Sequence, residues 1–509
     1  MNRPRLIYYN DAHHFHGKRI DPPLSLHKMH WPVDELLGTG VDLLAFGLGF
    51  GDVYFHNSKV GRVIGQKQEV WESFINWRIM RMAKDAADMG TDQVREVIKR
   101  GRYMGLPVFP SLRLQDVALP GHERCGWLRW EHGAAVCLRE KDTRYPKHPT
   151  EWGYDFTNEL VLQDKLAMIR EMLVDYEADG IELDFMFFPL YFRQAETKQN
   201  VPLMNKFVAQ VREMANEIGE KQEREIPLMA RVWHRKEENL RIGLDVETWL
   251  KEGNIDMVVG QTPAQLLNTG LVEGRWLADA ANAAGAAAYL RVPRKIEDPR
   301  ATIANIEMYR ALGQTLHWQG FAGMYLGYLP WPLSDAEYAV LREMAFPEAV
   351  GRRDKRYFLP PREEGPEYVA SEPRQLPMDL EEGETAVFTV IVADDFETAK
   401  RDGEMREPIL TISFQFFCVE DEVEIRFNDT PLPIADAEVA EPRRGAYWFR
   451  YKLDVDVLKQ GENTLEIETQ RFTETAGFSR TVSGVEIQTR YKDFARPEGL
   501  DPRTIAPPS

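Results

Sequence analysis

The chain is poor in the features that mark several whole classes of protein. Its 509 residues hold only three cysteines. Cys125, Cys137 and Cys418 fall in no CxxC or knuckle spacing, so neither a disulfide framework nor a thiolate metal centre is expected. No run approaches the roughly 18 consecutive apolar residues of a membrane span, so no membrane partner is expected. Basic residues are outnumbered, 63 against 81 acidic ones for a formal charge of -18, which disfavours nucleic acid as a partner. No apolar leader precedes the first strand pattern at Leu6–Tyr9, and a cytoplasmic location is expected unless a leader was removed. No internal repeat or low-complexity tract is evident. The 43% hydrophobic content is globular, and the length predicts two or three domains.

The most informative segment runs Asp179-Gly180-Ile181-Glu182-Leu183-Asp184-Phe185-Met186-Phe187-Phe188-Pro189. An acid–glycine turn follows a helical pattern and leads into an apolar strand. Strand side chains alternate faces, so Glu182, Asp184 and Met186 share one face, opposite Ile181, Leu183 and Phe185. A strand buried on both faces has no use for unpaired carboxylates, which are costly away from water. Acids pointing into a barrel near the C-terminal ends of its strands supply a reason, because active sites of such barrels lie there.

The rest of the chain fits that architecture. Strand patterns at 5–11, 42–50, 106–113, 180–188, 226–233, 255–261, 285–292 and 320–328 alternate with helical ones at about 28–38, 69–104, 157–178, 203–222, 244–252, 271–284, 300–316 and 334–345. Eight strand–helix repeats predict an α/β fold of the (β/α)8 TIM-barrel kind over residues 1–348. A doubly wound sheet is the competitor, but Gly47, Gly49 and Gly51 lack the spacing of a dinucleotide turn, and no cofactor is expected. Residues 349–377, rich in Pro, Arg and Glu, read as a linker or strap. Short strands at 385–393, 409–417, 422–427, 446–453, 464–469 and 482–490 predict a β-sandwich over 378–495. A tail, 496–509, follows. The sandwich is expected to brace the barrel, with sugar binding as its alternative role.

Asp179-Gly180-Ile181-Glu182-Leu183-Asp184 resembles the fourth-strand motif of barrel glycoside hydrolases. It is similar to the DGxDxDxE of family 18 chitinases, and closer to glycoside hydrolase-like barrels whose strand reads DGI-acid-LD before an aromatic and a proline. The resemblance implies a carbohydrate substrate and O-glycosyl bond hydrolysis. It departs from the chitinase pattern where Met186 stands in place of the acid/base glutamate, so that mechanism does not carry over.

Glycoside hydrolysis usually takes two carboxylates flanking the scissile bond. Asp184, nearest the strand's C-terminal end, is the first candidate for nucleophile or base. Glu182, one layer deeper, and Asp116, after the third strand, are its candidate partners, with Asp11 next and Glu237 and Glu238 weaker. Strand seven ends without an acid, against the strand-four/strand-seven pair of the largest hydrolase clan. Inward arginines at Arg113, Arg231 and Arg291 would either neutralise these acids or bind a carboxylate or sulfate on the sugar.

Other candidate substrate contacts are His13, His14, Trp130, Trp233, His234, Gln261 and Tyr325. The connection Val117–Gly153 carries Trp127, Trp130, Trp152 and Tyr145 and reads as an aromatic lid. Adjacent His13 and His14 point opposite ways if the first strand continues. Asp11, His13 and His234 match no metal-ligand spacing, so no metal is expected. His16 reads as an exposed turn residue, and Trp71, Phe74 and Trp77 as the core face of a helix. Two alternatives to a glycosidase stay open: a sugar-binding barrel without chemistry, and a polysaccharide lyase or other barrel hydrolase.

Overall fold

The computed structural model describes residues 3–492 apart from 264–265, 272, 299, 362–373, 419 and 474–477. Eight parallel strands close into a barrel: β1 (Leu6–Asn10), β2 (Leu43–Gly47), β3 (Val108–Arg113), β4 (Ile181–Asp184), β5 (Leu228–Trp233), β6 (Met257–Gln261), β7 (Ala287–Arg291) and β8 (Gly323–Gly327), with β8 paired back to β1. Every one coincides with a strand pattern of the sequence. Alternation sets the two layers. Ile7, Tyr9, Leu43, Ala45, Phe109, Met229, Met257, Val259, Ala287, Tyr289 and Tyr325 fill the barrel interior. Their neighbours, such as Tyr8, Leu44, Val108, Leu112, Leu183, Ala230 and Val258, meet the surrounding helices.

The helices start where the side chains can cap them. Ser73, Asp92, Asn158, Asn305 and Ser334 each accept a hydrogen bond from a backbone N–H of the first turn, satisfying donors the helix cannot. The single helix expected over 69–104 is two, Phe74–Asp88 and Gln93–Met104. Gly90, at φ 76°, turns the chain between them and Asp92 caps the second. The inner face of the first belongs to Ile79, Met82, Ala83 and Ala86. Phe74, 70% exposed, and Trp77, 37% exposed, stack on each other outside it rather than in the core. Only Trp71 packs partly against the interior. The helix expected from 300 is Ile306–Trp318, preceded by an antiparallel hairpin, Lys295–Asp298 with Ala301–Ile303.

Two antiparallel sheets form the C-terminal sandwich. In one, Lys355–Phe358, Thr481–Tyr491, Met405–Gln415, Ala446–Lys452 and Glu438–Arg443 lie side by side; in the other, Thr385–Val392, Gly461–Arg471 and Glu422–Phe427. Phe388, Leu410, Ile412, Phe414, Phe427, Leu465, Ile467 and Val485 close its core. The strand Lys355–Phe358 lies within the segment expected as a linker. Thr315 Oγ1 donates to the carbonyl of Thr269 at 2.8 Å, and the amide of Phe358 donates to Thr269 Oγ1 at 2.9 Å, so that strand is tied to the barrel. The tail 496–509 lies outside the described residues.

Candidate active site at the barrel mouth

The registers put three charged side chains abreast. Arg113 on β3 lies opposite Asp184 on β4, which lies opposite Arg231 on β5. Strand β4 ends at Asp184, short of the expected 188, because the Asp184 Oδ1 atom accepts the amide of Met186 at 2.8 Å. An aspartate that binds the amide two residues on turns the chain out of the ladder. Arg231 Nη2 donates to Asp184 Oδ2, and its Nε lies 3.3 Å from Glu182 Oε1. Below, Tyr325 Oη donates to Glu182 Oε1 at 2.9 Å, and Tyr9 presents its ring 4.5 Å from the Arg231 guanidinium. Glu182, Asp184, Arg231 and Tyr325 are all buried. Burial pushes the Glu182 carboxyl upward, with the Asp184 charge adding to it and Arg231 opposing. Burial works to lower Arg231, but Asp184, Tyr325 and Glu182 outweigh it and raise the guanidinium well above its ordinary value. The arginine–acid pairing weighed from the sequence is therefore present, and it is centred on Arg231.

The other two arginines are different. Among the described residues, neither Arg113 nor Arg291 has a carboxylate in hydrogen-bonding contact. Arg113 lies over Phe187, its guanidinium carbon 4.0 Å from the ring centroid. Burial and the neighbouring Arg231 charge hold the Arg291 guanidinium below its ordinary value. Both are partly open to solvent. A ladder of planar groups, which no local sequence signal announces, continues from Arg113. Phe187 is also faced by Arg124 at 5.2 Å, Arg124 lies 4.2 Å from the Phe50 centroid, and Phe50 stacks on His13 at 4.2 Å and 4°.

At the end of β1 the chain does not continue as a strand. Ala12 takes φ 58°, and a helix, α1 (His13–Arg19), begins at once. His13 and His14 are therefore neighbours on one helical turn, their rings 5.0 Å apart, and not on opposite faces as a strand would require. Asp11 is buried; its Oδ1 accepts the His14 amide at 2.9 Å, and its Oδ2 contacts His14 Nδ1 and accepts Tyr328 Oη at 3.1 Å. Burial pushes the Asp11 carboxyl up, but His14 and Arg113 outweigh it and hold it down at about 2. His16 is fully buried rather than exposed: its Nδ1 meets the carbonyl of Ala12 at 2.8 Å, and burial lowers it to about 4.

The remaining candidates are dispersed. Asp116 is buried in the base of the long connection, where Oδ2 accepts Arg124 and Oδ1 accepts the Ala118 amide, both at 2.6 Å. Among the described residues it has no hydrogen-bond partner in common with Asp184. Gly51, at φ 66°, is required beside it, since a Cβ there would lie 2.1 Å from Asp116 Oδ2. Trp130 faces the Arg62 guanidinium at 4.7 Å, which packs the connection down. Gln115 Nε2 reaches the carbonyls of Tyr154 and Leu190 to the same effect. Trp233 is buried, its backbone held by Asn239. His234 Nδ1 lies 3.3 Å from the carbonyl of Gln261, whose own side chain is half-buried.

No protein-family model matches the sequence, and no curated protein matches it. Solved structures similar to it include a cycloisomaltooligosaccharide glucanotransferase from Paenibacillus sp. in complex with cycloisomaltoheptaose. That match has 8% identity and a TM-score of 0.36, over 95% of this chain and 57% of that one. Alpha-L-fucosidase isoenzyme 2 from Paenibacillus thiaminolyticus matches at 12% identity and a TM-score of 0.41, over 67% and 49%. A noncanonic maltogenic alpha-amylase from Thermotoga neapolitana matches at 12% and 0.40, over 91% and 99%. The chain thus spans roughly half the length of the first two. At such identities and TM-scores the likenesses carry nothing about chemistry, which rests on the side chains of the mouth.

Proposed function

We propose that this chain is a barrel glycoside hydrolase acting on an anionic oligo- or polysaccharide. The observation that carries the reading is the row Arg113–Asp184–Arg231. One arginine clasps the carboxylate, while the other, together with Arg291, keeps its donors free of any acid. A guanidinium fork matches a carboxylate or sulfate group, and these two, partly open to solvent and bound to no acid among the described residues, can present theirs to a ligand. In this reading Asp184 is the reacting carboxylate, as nucleophile or base. Glu182 is a positioning residue that, with Tyr325, fixes Arg231 beneath it. Arg113 and Arg291 hold the substrate anion, and the edge of the Phe187–Phe50 ladder supplies flat apolar surface for a sugar ring. The sandwich is read as a brace.

The test is a screen of neutral, uronic and sulfated glycans with the wild type, Asp184→Asn and Arg113→Ala. Turnover is expected on anionic glycans only, falling by about two orders of magnitude or more in Asp184→Asn. Loss of one charge-assisted contact in Arg113→Ala is expected to raise KM about 10- to 100-fold. Full activity in Asp184→Asn would remove that residue from the chemistry. Equal activity on neutral glycans would remove the anionic substrate. A shift in melting temperature with a glycan but no turnover would favour a binding barrel.

A further inference from the structure

The geometry points to a divalent metal site formed by Asp11, His13 and His14, of the two-imidazole, one-carboxylate class that takes Zn2+ or Mn2+. Each of the three residues offers one ligand atom, and those atoms lie within 4.8 Å of one another. This inference goes beyond the sugar-cleaving reading and does not depend on it.

The site is built, not merely crowded. Asp11 comes from the end of β1, and the abrupt start of α1 brings both imidazoles back over it. Two non-glycine residues bracket the arrangement in the left-handed region, Ala12 at φ 58° and Tyr328 at φ 56°. Such conformations cost about 1–3 kcal/mol each and persist where the surroundings demand them. Tyr328 Oη, donating to Asp11 Oδ2, fixes that carboxylate from the far side.

A second, separate observation concerns His13. Its Nε2 lies 3.1 Å from Asn76 Oδ1, and the Asn76 amide in turn donates from Nδ2 to Glu123 Oε1. Because Asn76 spends its donor on Glu123, its oxygen must accept, so His13 carries its proton on Nε2. That leaves the Nδ1 lone pair free to bind. A ligating imidazole whose other nitrogen donates into a polar chain ending at a carboxylate is the usual outer shell of a metal-bound histidine. Phe50, stacked flat on His13, holds the ring plane. Asn76 and Glu123 are both buried, so the chain is shielded from water. His14, by contrast, is exposed enough to leave one side of the site open to the mouth.

Two imidazoles and one carboxylate suit borderline metals better than Ca2+ or Mg2+, which prefer all-oxygen shells. Arg113 faces Asp11 electrostatically and works against a cation. An anion bound at Arg113 would offset that, so metal affinity is expected to rise when an anionic ligand occupies the mouth.

The experiment uses the full chain without a histidine tag, stripped with EDTA and exchanged into metal-free buffer at pH 7.5. ZnCl2 and MnCl2 are titrated separately by calorimetry, and bound metal is counted by elemental analysis. One equivalent of Zn2+ or Mn2+ is expected in the wild type, with none in His14→Ala or Asp11→Asn at the concentration that saturates the wild type. Asn76→Ala, which removes only the outer shell, is expected to weaken binding by about 10- to 100-fold. His14→Ala also removes a hydrogen bond to buried Asp11, so it is expected to melt somewhat lower but still cooperatively without metal, which separates lost binding from lost fold. Absence of stoichiometric uptake by the wild type overturns the site. So does uptake that survives unchanged in both His14→Ala and Asp11→Asn, which would place the metal elsewhere.

Discussion

Replacing Arg231 by methionine tests the charge arrangement of the mouth most directly. The side chain is buried, hydrogen-bonded to Asp184 and within 3.3 Å of Glu182. Methionine keeps much of its volume and apolar stem, so the change isolates the charge. Two carboxylates on one strand face would then share a dry interior with no cation in contact. Breaking a buried pair from one side costs about 3–5 kcal/mol. For a barrel of this size, at about 2 °C per kcal/mol, that is a fall of on the order of 5–10 °C in the melting temperature. The loss must also depend on pH. Without Arg231 the pair can relieve its repulsion only by binding a proton, so the folded state would take up protons that the unfolded chain releases. Stability of the variant relative to wild type should therefore be best near pH 4.5 and worst near pH 8. Melting temperatures of both proteins across that range provide the assay. Adding Asp184→Asn to the variant should recover part of the loss at pH 8. A fall of under about 2 °C, or a fall of equal size at both pH values, would refute the account of Arg231 as the ion that makes two inward acids tolerable.

Two further outcomes follow from the same reasoning. Burial raises Glu35 to about 7, against the pull of Arg19. Between roughly pH 4.5 and 7 the folded protein holds a proton that the unfolded chain has lost, so this group's contribution to stability declines as pH rises through that window, by about 3 kcal/mol at most. Glu35→Gln should therefore gain on the wild type between pH 4.5 and 8 in melting temperature, and a difference that stays flat would refute it. Gly51→Ala places a Cβ against Asp116 Oδ2 in a left-handed turn. It should lower the melting temperature by several degrees, about 1–3 kcal/mol from the backbone alone, and unchanged melting would show that the turn can move.

The barrel was legible because its signal is repeated and local: an apolar run, a turn and a helical stripe, eight times over. Asp184 and the arginines stood out because charge in a strand buried on both faces contradicts its surroundings. What escaped the sequence depended on single backbone states or on partners far along the chain. Nothing in Asp11-Ala12-His13-His14 announces that Ala12 will take φ 58° and start a helix, yet that one dihedral decides whether two histidines diverge or converge. The signal that would have helped is the proline-free, helix-compatible run to Arg19. Phe74 and Trp77 matched the helical period, but the stripe Ile79, Met82, Ala83 and Ala86, on another face of the same helix, competed for the same interior and occupies it. The Phe50–Arg124–Phe187 ladder joins three separate connections, and no periodicity links them. Lys355–Phe358 was hidden by the charge at its start: Lys355 is buried because Asp394, just past the strand Thr385–Val392, lies 3.0 Å from its ammonium.

The helix Ile306–Trp318 belongs to the barrel, yet its Ala311 sits among the residues that close the sandwich core. Arg300, on the hairpin that precedes it, bonds both Asp298 and Glu486, and Arg356 stands between Glu307 and Glu486. The two halves therefore share a seam of apolar and ionic contacts instead of a hinge. For anyone dissecting the protein, the sandwich is not a cassette that can be cut away or transplanted. A fragment ending near residue 348 would leave Ala311 uncovered and Glu307 without its arginine. Such a fragment is expected to be less stable than the full chain, so activity lost on truncation would not by itself show that the sandwich touches substrate.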